Sequence, residues 1–225
     1  MANYEIDPGL LAPFIPAGTE LDFFEGKTFV SVVGFMFLNT RVCGIPIPLH
    51  RHFPEVNLRF YVRRQADDGW RRGVVFIKEI VPRRAIAWTA RTLYNENYVA
   101  LPMSHQLEKT GSKLKSVSYS WKFFNRWHSL SAEVHGEPQP LMAGSQPEFI
   151  AAHYWGYCRQ RDGSSAESQV EHPPWRIWEA DSARLDGDVT GIYGAQFGET
   201  LSRPAASVFV ADGSAITVRK GVRFH

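Results

Sequence analysis

An alternation of apolar and polar residues between positions 56 and 63 constrains the fold more than any other feature of this chain. In an extended strand, the apolar residues share one face: Val56, Leu58, Phe60 and Val62. The polar residues share the opposite face: Asn57, Arg59, Tyr61 and Arg63. The pattern therefore predicts a β-strand with one face in the core and one polar face.

Other short runs rich in β-branched and aromatic residues, bounded by Gly, Pro or charge, also predict strands. They lie at 29–37, 73–77, 116–124, 129–134, 167–170, 175–179, 207–211 and 215–219. The Asp212-Gly213 pair between the last two runs predicts a hairpin turn. Helix is scarce: a short turn begins after Asp7, a short helix is predicted at 146–155, and a helix at 82–92 is arguable. Many short strands with little helix predict a barrel or a sandwich.

The length of 225 residues suits one β domain, predicted to span residues 1–225. The polar stretch 159–167 contains Asp162-Gly163 and predicts a hairpin loop rather than a domain boundary. Hydrophobic residues make up 44% of the chain, enough for a sizeable core.

Charge, apolar runs and cysteine content give no support to several classes of function. A formal net charge of +2 gives no indication of nucleic-acid binding. No apolar run approaches the roughly 20 residues that span a bilayer, and the first ten residues lack a signal-peptide pattern. Cys43 and Cys158 have no metal-ligand spacing and predict ordinary thiols in a reducing compartment. We therefore expect a soluble, cytoplasmic protein without nucleic-acid or membrane partners.

Familiar catalytic and cofactor motifs are missing. His50 and His52 with Glu55 could bind a metal, but Arg51 and the nearby prolines favour a rim loop, so no metal is predicted. The chain has no GxSxG elbow, no GxGxxG and no Walker pattern, and no cofactor is predicted.

The polar face of the strand at 56–62 is the main candidate for a site. If this face pointed into a barrel, a buried arginine there would require a carboxylate or an anionic ligand. The middle of the chain offers cations and anions for this purpose: Arg41, Arg59, Arg91, Glu55, Glu79 and Glu96. Two interpretations stay open, a structural Arg–Glu network that braces the barrel and a ligand pocket.

Seven segments carry a resemblance to a known family. They are YEIDPGLL with PAGTELD (4–11, 16–22), FPEVNLR (53–59), ARTLYNENY (90–98), HYWGY (153–157), EHPPW (171–175) and VADGS (210–214). On these motifs the whole chain resembles the YqjF-like family of unknown function, which is similar in fold to acetoacetate decarboxylase. The resemblance implies a single, closed, mainly antiparallel β-barrel or cone with a few short helices and an internal cavity.

The resemblance to the decarboxylase itself breaks down at its chemistry. Segment 90–103 resembles the stretch where that enzyme carries its Schiff-base lysine, but here Thr92 follows Arg91 and Met103 follows Pro102. No lysine occurs between Lys78 and Lys109, so the imine route loses its expected nucleophile. Lys78 could replace it only if its side chain pointed inward.

The segment Tyr94 to Tyr98 stands where the related enzyme has its lysine-bearing wall. We interpret it as cavity lining that holds a polar ligand together with Arg91 and Glu55. The competing interpretation is a buried turn in which Asn95 and Asn97 satisfy backbone groups.

Two functional hypotheses follow. The first is a protein that binds a small anionic or carbonyl-bearing metabolite without Schiff-base chemistry; self-association is left open. Its predicted ligand-binding residues are Arg41, Asn57, Arg59, Arg91, Tyr94, Asn95, Asn97 and Tyr98. The second is a lyase- or hydrolase-type enzyme with Glu55 or Glu96 as general acid/base.

Overall fold

The structure, a computed structural model, describes residues 1–42, 45–46, 52–83, 97–219 and 221–224, without the side chains of residues 41–42 and 45–46. Its described residues form a mainly β fold. The strands are β1 (Ala2–Ile6), β2 (Glu20–Leu21), β3 (Thr28–Phe37), β4 (Arg41–Val42), β5 (Ile45–Pro46), β6 (Phe53–Ala66), β7 (Gly69–Val81), β8 (Tyr98–Ala100), β9 (Met103–Thr110), β10 (Lys113–Phe123), β11 (Arg126–Glu133), β12 (Gln139–Pro140), β13 (Trp155–Arg159), β14 (Ser165–Glu171), β15 (Arg176–Glu179), β16 (Ala183–Asp186), β17 (Ser207–Ala211), β18 (Thr217–Val218) and β19 (Val222–Phe224).

The described residues also contain four short α-helices: α1 (Pro8–Leu11), α2 (Gln146–Ala151), α3 (Val189–Tyr193) and α4 (Ala195–Ser202). Asp7 caps α1 by accepting a 2.8 Å hydrogen bond from the Gly9 amide, as the predicted turn there requires. Ser145 caps α2 in the same way, accepting from the Glu148 amide. The helix predicted at 146–155 is shorter than expected, because Ala152 ends it and Trp155 already begins β13.

Strands β6 and β7 form the long central hairpin of the larger sheet. The main path of this sheet is β12-β15-β17-β1-β3-β6-β7-β13-β14-β18, and β2, β8 and β19 pair at its sides. Most pairs are antiparallel, but β7 pairs with both β8 and β13 in parallel. A second sheet has the order β16-β11-β10-β9.

The main core lies between the two sheets and confirms the predicted apolar face of β6. Val56, Leu58, Phe60 and Val62 are buried in one cluster with Tyr119 and Trp121 of β10, and α3 and α4 contribute to the same cluster. The opposite face of the large sheet is also covered. There Tyr61 packs with Phe149 and Ile150 of α2 in a second cluster.

One sequence-based expectation is wrong and another is not confirmed. The Asp212-Gly213 hairpin is wrong: β17 already pairs with β1 on one side and β15 on the other, so β18 pairs with β14 instead. The closed antiparallel barrel is not confirmed, because the strand pairings of the described residues do not close either sheet on itself. The hairpin loop predicted at 159–167 is confirmed between β13 and β14.

None of the helices in the described part of the chain is both long and apolar enough to cross a bilayer.

Candidate functional site

The candidate site lies on the face of β6 opposite the main core. Asn57 stands directly across from Glu79 of β7 and from Val33 of β3, so the three side chains share this face. Its side-chain Nδ2 donates a 3.0 Å hydrogen bond to Oε1 of Glu55, two residues earlier on the same face. The sheet register therefore groups two carboxyl groups around one amide.

Tyr98 joins this group from β8, which runs parallel to β7 with Tyr98 opposite Glu79. Its hydroxyl donates to Oε2 of Glu55 over 3.3 Å. Asn97 has a different role, because its Nδ2 donates 2.8 Å to the Ile77 carbonyl and its own carbonyl accepts from the Glu79 amide. Asn97 is exposed and fastens β8 to β7 through backbone groups.

Three of these polar residues are deeply buried, whereas Tyr98 is half-buried. Glu55 is 2% exposed, and Asn57 and Glu79 are each 1% exposed. Burial of carboxyl groups is costly unless hydrogen bonds and charges compensate for lost hydration. Among the described residues, Oδ1 of Asn57 has no hydrogen-bond partner. The group formed by Glu55, Asn57, Glu79 and Tyr98, called here the carboxyl–amide wall, can accept and donate hydrogen bonds and can hold a proton.

Arg59 occupies the next position on the same face, but its contacts differ from the expected ones. Its Nη2 donates to the carbonyl of Ile150 in α2 over 3.1 Å and lies 3.8 Å from Sδ of Met1. Its guanidinium also stands 5.7 Å from the centre of the Tyr61 ring. Among the described contacts of Arg59 there is no ion pair, so the structure shows a backbone carbonyl where a carboxylate or anionic ligand was expected.

Several predicted site residues lie outside the described residues: Arg91, Tyr94, Asn95 and Glu96. The same applies to the side chain of Arg41, whose backbone belongs to β4. Glu79 is the member of the wall that the predicted site set omits. The sequence indicates Glu79 only as an available anion, because its place beside Asn57 depends on the register of two strands.

A second buried polar cluster, which no sequence pattern predicts, lies further along the same face. Asp22 accepts a 2.6 Å hydrogen bond from Nε of Arg72, and Nε2 of His153 lies 3.7 Å from the same carboxylate oxygen. The His153 ring packs 4.8 Å from the ring of Tyr61. Asp22 and His153 both occur in segments that carry the family resemblance, but no local sequence pattern indicates that they are in contact.

The ionisation of this cluster follows from burial. Desolvation lowers the pKa of His153 to about 4, with further lowering by the charges of Arg72 and Arg59, so its ring is neutral at pH 7. Burial alone would raise the pKa of Asp22, but its contacts with His153 and Arg72 outweigh that effect and lower it. The cluster is therefore an Asp–Arg ion pair covered by a neutral histidine.

Lys78 lies on the other side of the sheet from the wall. It stands across from Leu58, whereas Glu79 stands across from Asn57, and neighbouring residues of a strand point to opposite faces. Burial lowers the pKa of Lys78. Its amine and the carboxyl–amide wall are thus separated by the sheet.

Two well-defined surface clefts in the described part of the chain are lined by residues outside the wall. One, of about 490 Å³, lies between β1, Lys27 and the end of α4. The other, of about 280 Å³, lies between α2 and the segment 172–176. Groups of His, Cys, Asp and Glu suited to a metal ion are not found in the described ranges.

Comparison with known proteins places this architecture in a family. The family DUF2071, described as an uncharacterized conserved protein, matches residues 1–215. The chain belongs to the DUF2071 family. This DUF2071 protein is also 27% identical to the uncharacterized protein YqjF of Bacillus subtilis (strain 168) over 205 residues, which cover 88% of this chain and 80% of YqjF. The resemblance to YqjF-like proteins is confirmed.

Solved structures with the same fold have much lower sequence identity to this DUF2071 protein. The enduracididine biosynthesis enzyme MppR complexed with pyruvate has a TM-score of 0.64 at 13% identity, covering 99% of this chain and 86% of MppR. An acetoacetate decarboxylase from Legionella pneumophila has a TM-score of 0.62 at 12% identity, covering 100% of this chain and 83% of the decarboxylase. At these identities the likeness shows an acetoacetate decarboxylase-like fold and nothing about the reaction.

Proposed function

We propose that this DUF2071 protein binds a small carbonyl-bearing or anionic metabolite at the carboxyl–amide wall, without forming an imine. The observation that carries the proposal is the burial of Glu55, Asn57 and Glu79 side by side on adjacent strands. Burying several polar side chains together lowers the stability of a fold. Such groups are therefore found most often at ligand-binding sites.

The ligand class follows from the chemistry of the wall and is supported by the fold relatives. The Asn57 side-chain amide has a second N–H, besides the one it donates to Glu55, that can bond a carbonyl oxygen, and the Tyr98 hydroxyl holds Glu55 beside it. MppR has been solved with pyruvate, and acetoacetate, for which the decarboxylase is named, is also a keto acid. We extend this class, the small 2- and 3-keto acids, to the present chain.

Predicted cations complete the proposed site. Arg41, Arg59 and Arg91 remain the candidates for the carboxylate of such a ligand, with Tyr94 and Asn95 as further lining. Arg59 is the one whose described position can be assessed, on the same face as Asn57 and two residues away. The proposal also keeps the closed barrel or cone around the cavity and a single domain over residues 1–225.

The positions of the lysines are the reason for proposing binding without an imine step. The chain has no lysine between Lys78 and Lys109. Lys78 belongs to the opposite face of β7 from Glu79. Reduction with borohydride in the presence of a bound keto acid should therefore leave the mass of the protein unchanged.

The alternative is a lyase- or hydrolase-type enzyme that uses Glu55 or Glu96 as general acid/base. One observation favours it: the Tyr98 hydroxyl and the Asn57 amide both donate to Glu55, an arrangement that orients a catalytic carboxylate. Glu79 is a further candidate for the same role, because the register places it across from Asn57.

A thermal-shift panel of keto acids, simple carboxylates and lactones tests the proposal. A ligand present at about one hundred times its dissociation constant stabilises the fold by roughly 2.7 kcal/mol, or about 5–10 °C for a domain of this size. We expect keto acids to give such a shift in the parent protein and in Glu5→Gln, an exposed control. Glu55→Gln and Glu79→Gln should weaken it. A flat panel, or equal shifts in all variants, would contradict the proposal.

Analysis of the recovered compound then separates the two hypotheses. A compound that leaves unchanged supports binding alone. Turnover that falls by about 100-fold or more in Glu55→Gln would establish the enzymatic alternative for that residue.

A further inference from the structure

The turn between β10 and β11 carries a conspicuous aromatic tip. Phe123 pairs with Arg126, which leaves a two-residue loop of Phe124 and Asn125 with φ values of 42° and 61°. Positive φ at both central positions is the pattern of a type I′ turn, which favours Asn, Asp and Gly. A phenylalanine at the first position is strained and is also 86% exposed.

Phe124 is surrounded by residues typical of an interface. Its ring leans on that of Phe123, with 4.4 Å between centroids. Trp127 is 50% exposed on the neighbouring strand, and Lys122 and Arg126 flank the turn. Exposed Trp, Phe and Arg side chains together are enriched at protein interfaces, whereas a solvated turn gains nothing from a strained phenylalanine.

The second cleft described above has the complementary character. One wall is a continuous aromatic stack, with ring centroids 4.9 Å apart between Tyr154 and His172 and 4.2 Å apart between His172 and Trp175. This wall is rigid, because Nε1 of Trp175 donates 2.8 Å to the Ser214 hydroxyl and Nδ1 of His172 donates 2.8 Å to the Pro173 carbonyl. Apolar residues form much of the remaining surface: Pro140, Leu141, Ala151, Ala152 and Pro174.

The volume and the charge of the second cleft indicate which group can occupy it. The volume of about 280 Å³ is just below the roughly 300–1,000 Å³ of pockets that hold drug-sized ligands, so a single aromatic side chain suits it better. Glu148 borders the cleft and would face Lys122 at the base of the turn, whereas Nη2 of Arg126 already lies 3.5 Å from Oδ1 of Asp186. Arg176 also borders the cleft, but its guanidinium donates to the Pro138 carbonyl.

We propose that the Phe124 tip of one copy of this protein inserts into the Tyr154–His172–Trp175 cleft of a second copy. The tip and the cleft share no residue and belong to different sheets, so each copy presents both a donor and an acceptor surface. Contacts of this head-to-tail kind build rings or open chains rather than a simple twofold dimer. The inference is independent of the proposed metabolite site.

The test compares self-association of four proteins by light scattering and sedimentation over a range of concentrations. The parent protein should associate. Phe124→Asn, which suits the type I′ turn, should keep the fold and raise the dissociation constant by about 30-fold or more, as loss of an aromatic hot spot does. Leu141→Lys places a charge in the cleft and should act likewise. Leu107→Ser, which removes an exposed apolar side chain of β9 outside the tip, should associate like the parent.

Mixing the Phe124→Asn and Leu141→Lys variants gives the decisive measurement. Phe124→Asn keeps an intact cleft and Leu141→Lys keeps an intact tip, so the two together should form a heterodimer that neither forms alone. If Leu141→Lys proves unstable by circular dichroism, Tyr154→Ala, at a partly exposed wall residue, takes its place. A parent protein that stays monomeric, association that survives Phe124→Asn, or a mixture that fails to pair would each overturn the proposal.

Discussion

Asn57 and Glu55, two residues apart on β6, are joined by a 3.0 Å hydrogen bond in a region where both are almost completely buried. Asn57→Leu removes this donor and should lower the free energy of unfolding by about 1–3 kcal/mol, because a buried carboxyl group loses a partner. Asn57→Asp should cost more at pH 7, since it adds a third carboxyl group beside Glu55 and Glu79. Urea unfolding at pH 7 and pH 5 measures both variants, and the deficit of Asn57→Asp should shrink at pH 5. Equal stability of parent and both variants would contradict the described wall.

His153 makes stability depend on pH in the acid range. Burial lowers its pKa from an ordinary value of 6.5 to about 4, so the unfolded chain binds a proton before the folded chain does. The stabilising contribution is complete above about pH 6.5 and is lost as the pH falls towards 4, by at most about 3 kcal/mol. His153→Phe, in the same aromatic surroundings, should flatten the stability profile between pH 6.5 and 4.5. A profile as steep as that of the parent would exclude His153 as the cause.

Gly187 and His128 are in close contact at the end of β16. A Cβ at position 187 would stand 1.9 Å from Nδ1 of His128, the atom that accepts a 2.9 Å hydrogen bond from the Asp188 amide. Gly187 also has φ of +143°. Gly187→Ala should therefore destabilise the fold by about 2–4 kcal/mol, through overpacking and backbone strain together.

Gly163 is the matched control for this effect. It has φ of +85° with no atom near the position of a Cβ, so Gly163→Ala should cost only about 1 kcal/mol of backbone strain. Thermal unfolding of both variants separates the steric contribution from the backbone contribution. Similar losses at the two positions would show that the contact with His128 is unimportant.

Phe124→Asn should raise stability by about 0.5–1 kcal/mol. Asparagine tolerates the positive φ at position 124, whereas phenylalanine pays for it with little burial in return. Chemical unfolding at a concentration low enough to keep the protein monomeric is the suitable measurement. A loss of stability would mean that the contact with Phe123 outweighs the strain of the turn.

The sequence predicts those strands whose signals are local, but it does not predict β1, β9, β13 and β16. Alternation between 56 and 63 identifies the face that packs between the sheets, and Ser207–Ala211 has the predicted bounds. The pairing between strands, by contrast, depends on residues that are distant in sequence. The Asp212-Gly213 turn looked like a hairpin, but both edges of β17 are occupied by strands distant in sequence.

The residues of the candidate site also fall into two groups, those that a local pattern can place and those that only strand pairing or tertiary packing can place. Glu55 and Asn57 could be placed on one face from their spacing along a single strand. Glu79 joins them only through the β6–β7 register, which includes an irregularity between Leu58 and Arg59 that no local pattern reveals. The Asp22–His153 contact and the docking of Arg59 on α2 depend likewise on tertiary packing.

Calorimetric titration of a keto acid into three variants tests the central claim most directly. Asn57→Leu and Tyr98→Phe each alter the carboxyl–amide wall, whereas His153→Phe alters the neighbouring cluster on the same face. If the ligand binds at the wall, affinity should fall by about tenfold or more in the first two variants, as expected when a hydrogen bond to the ligand or to the carboxyl group beside it is lost, and stay within about twofold in the third. Parent-like affinity in folded Asn57→Leu and Tyr98→Phe would contradict the account and place the ligand elsewhere.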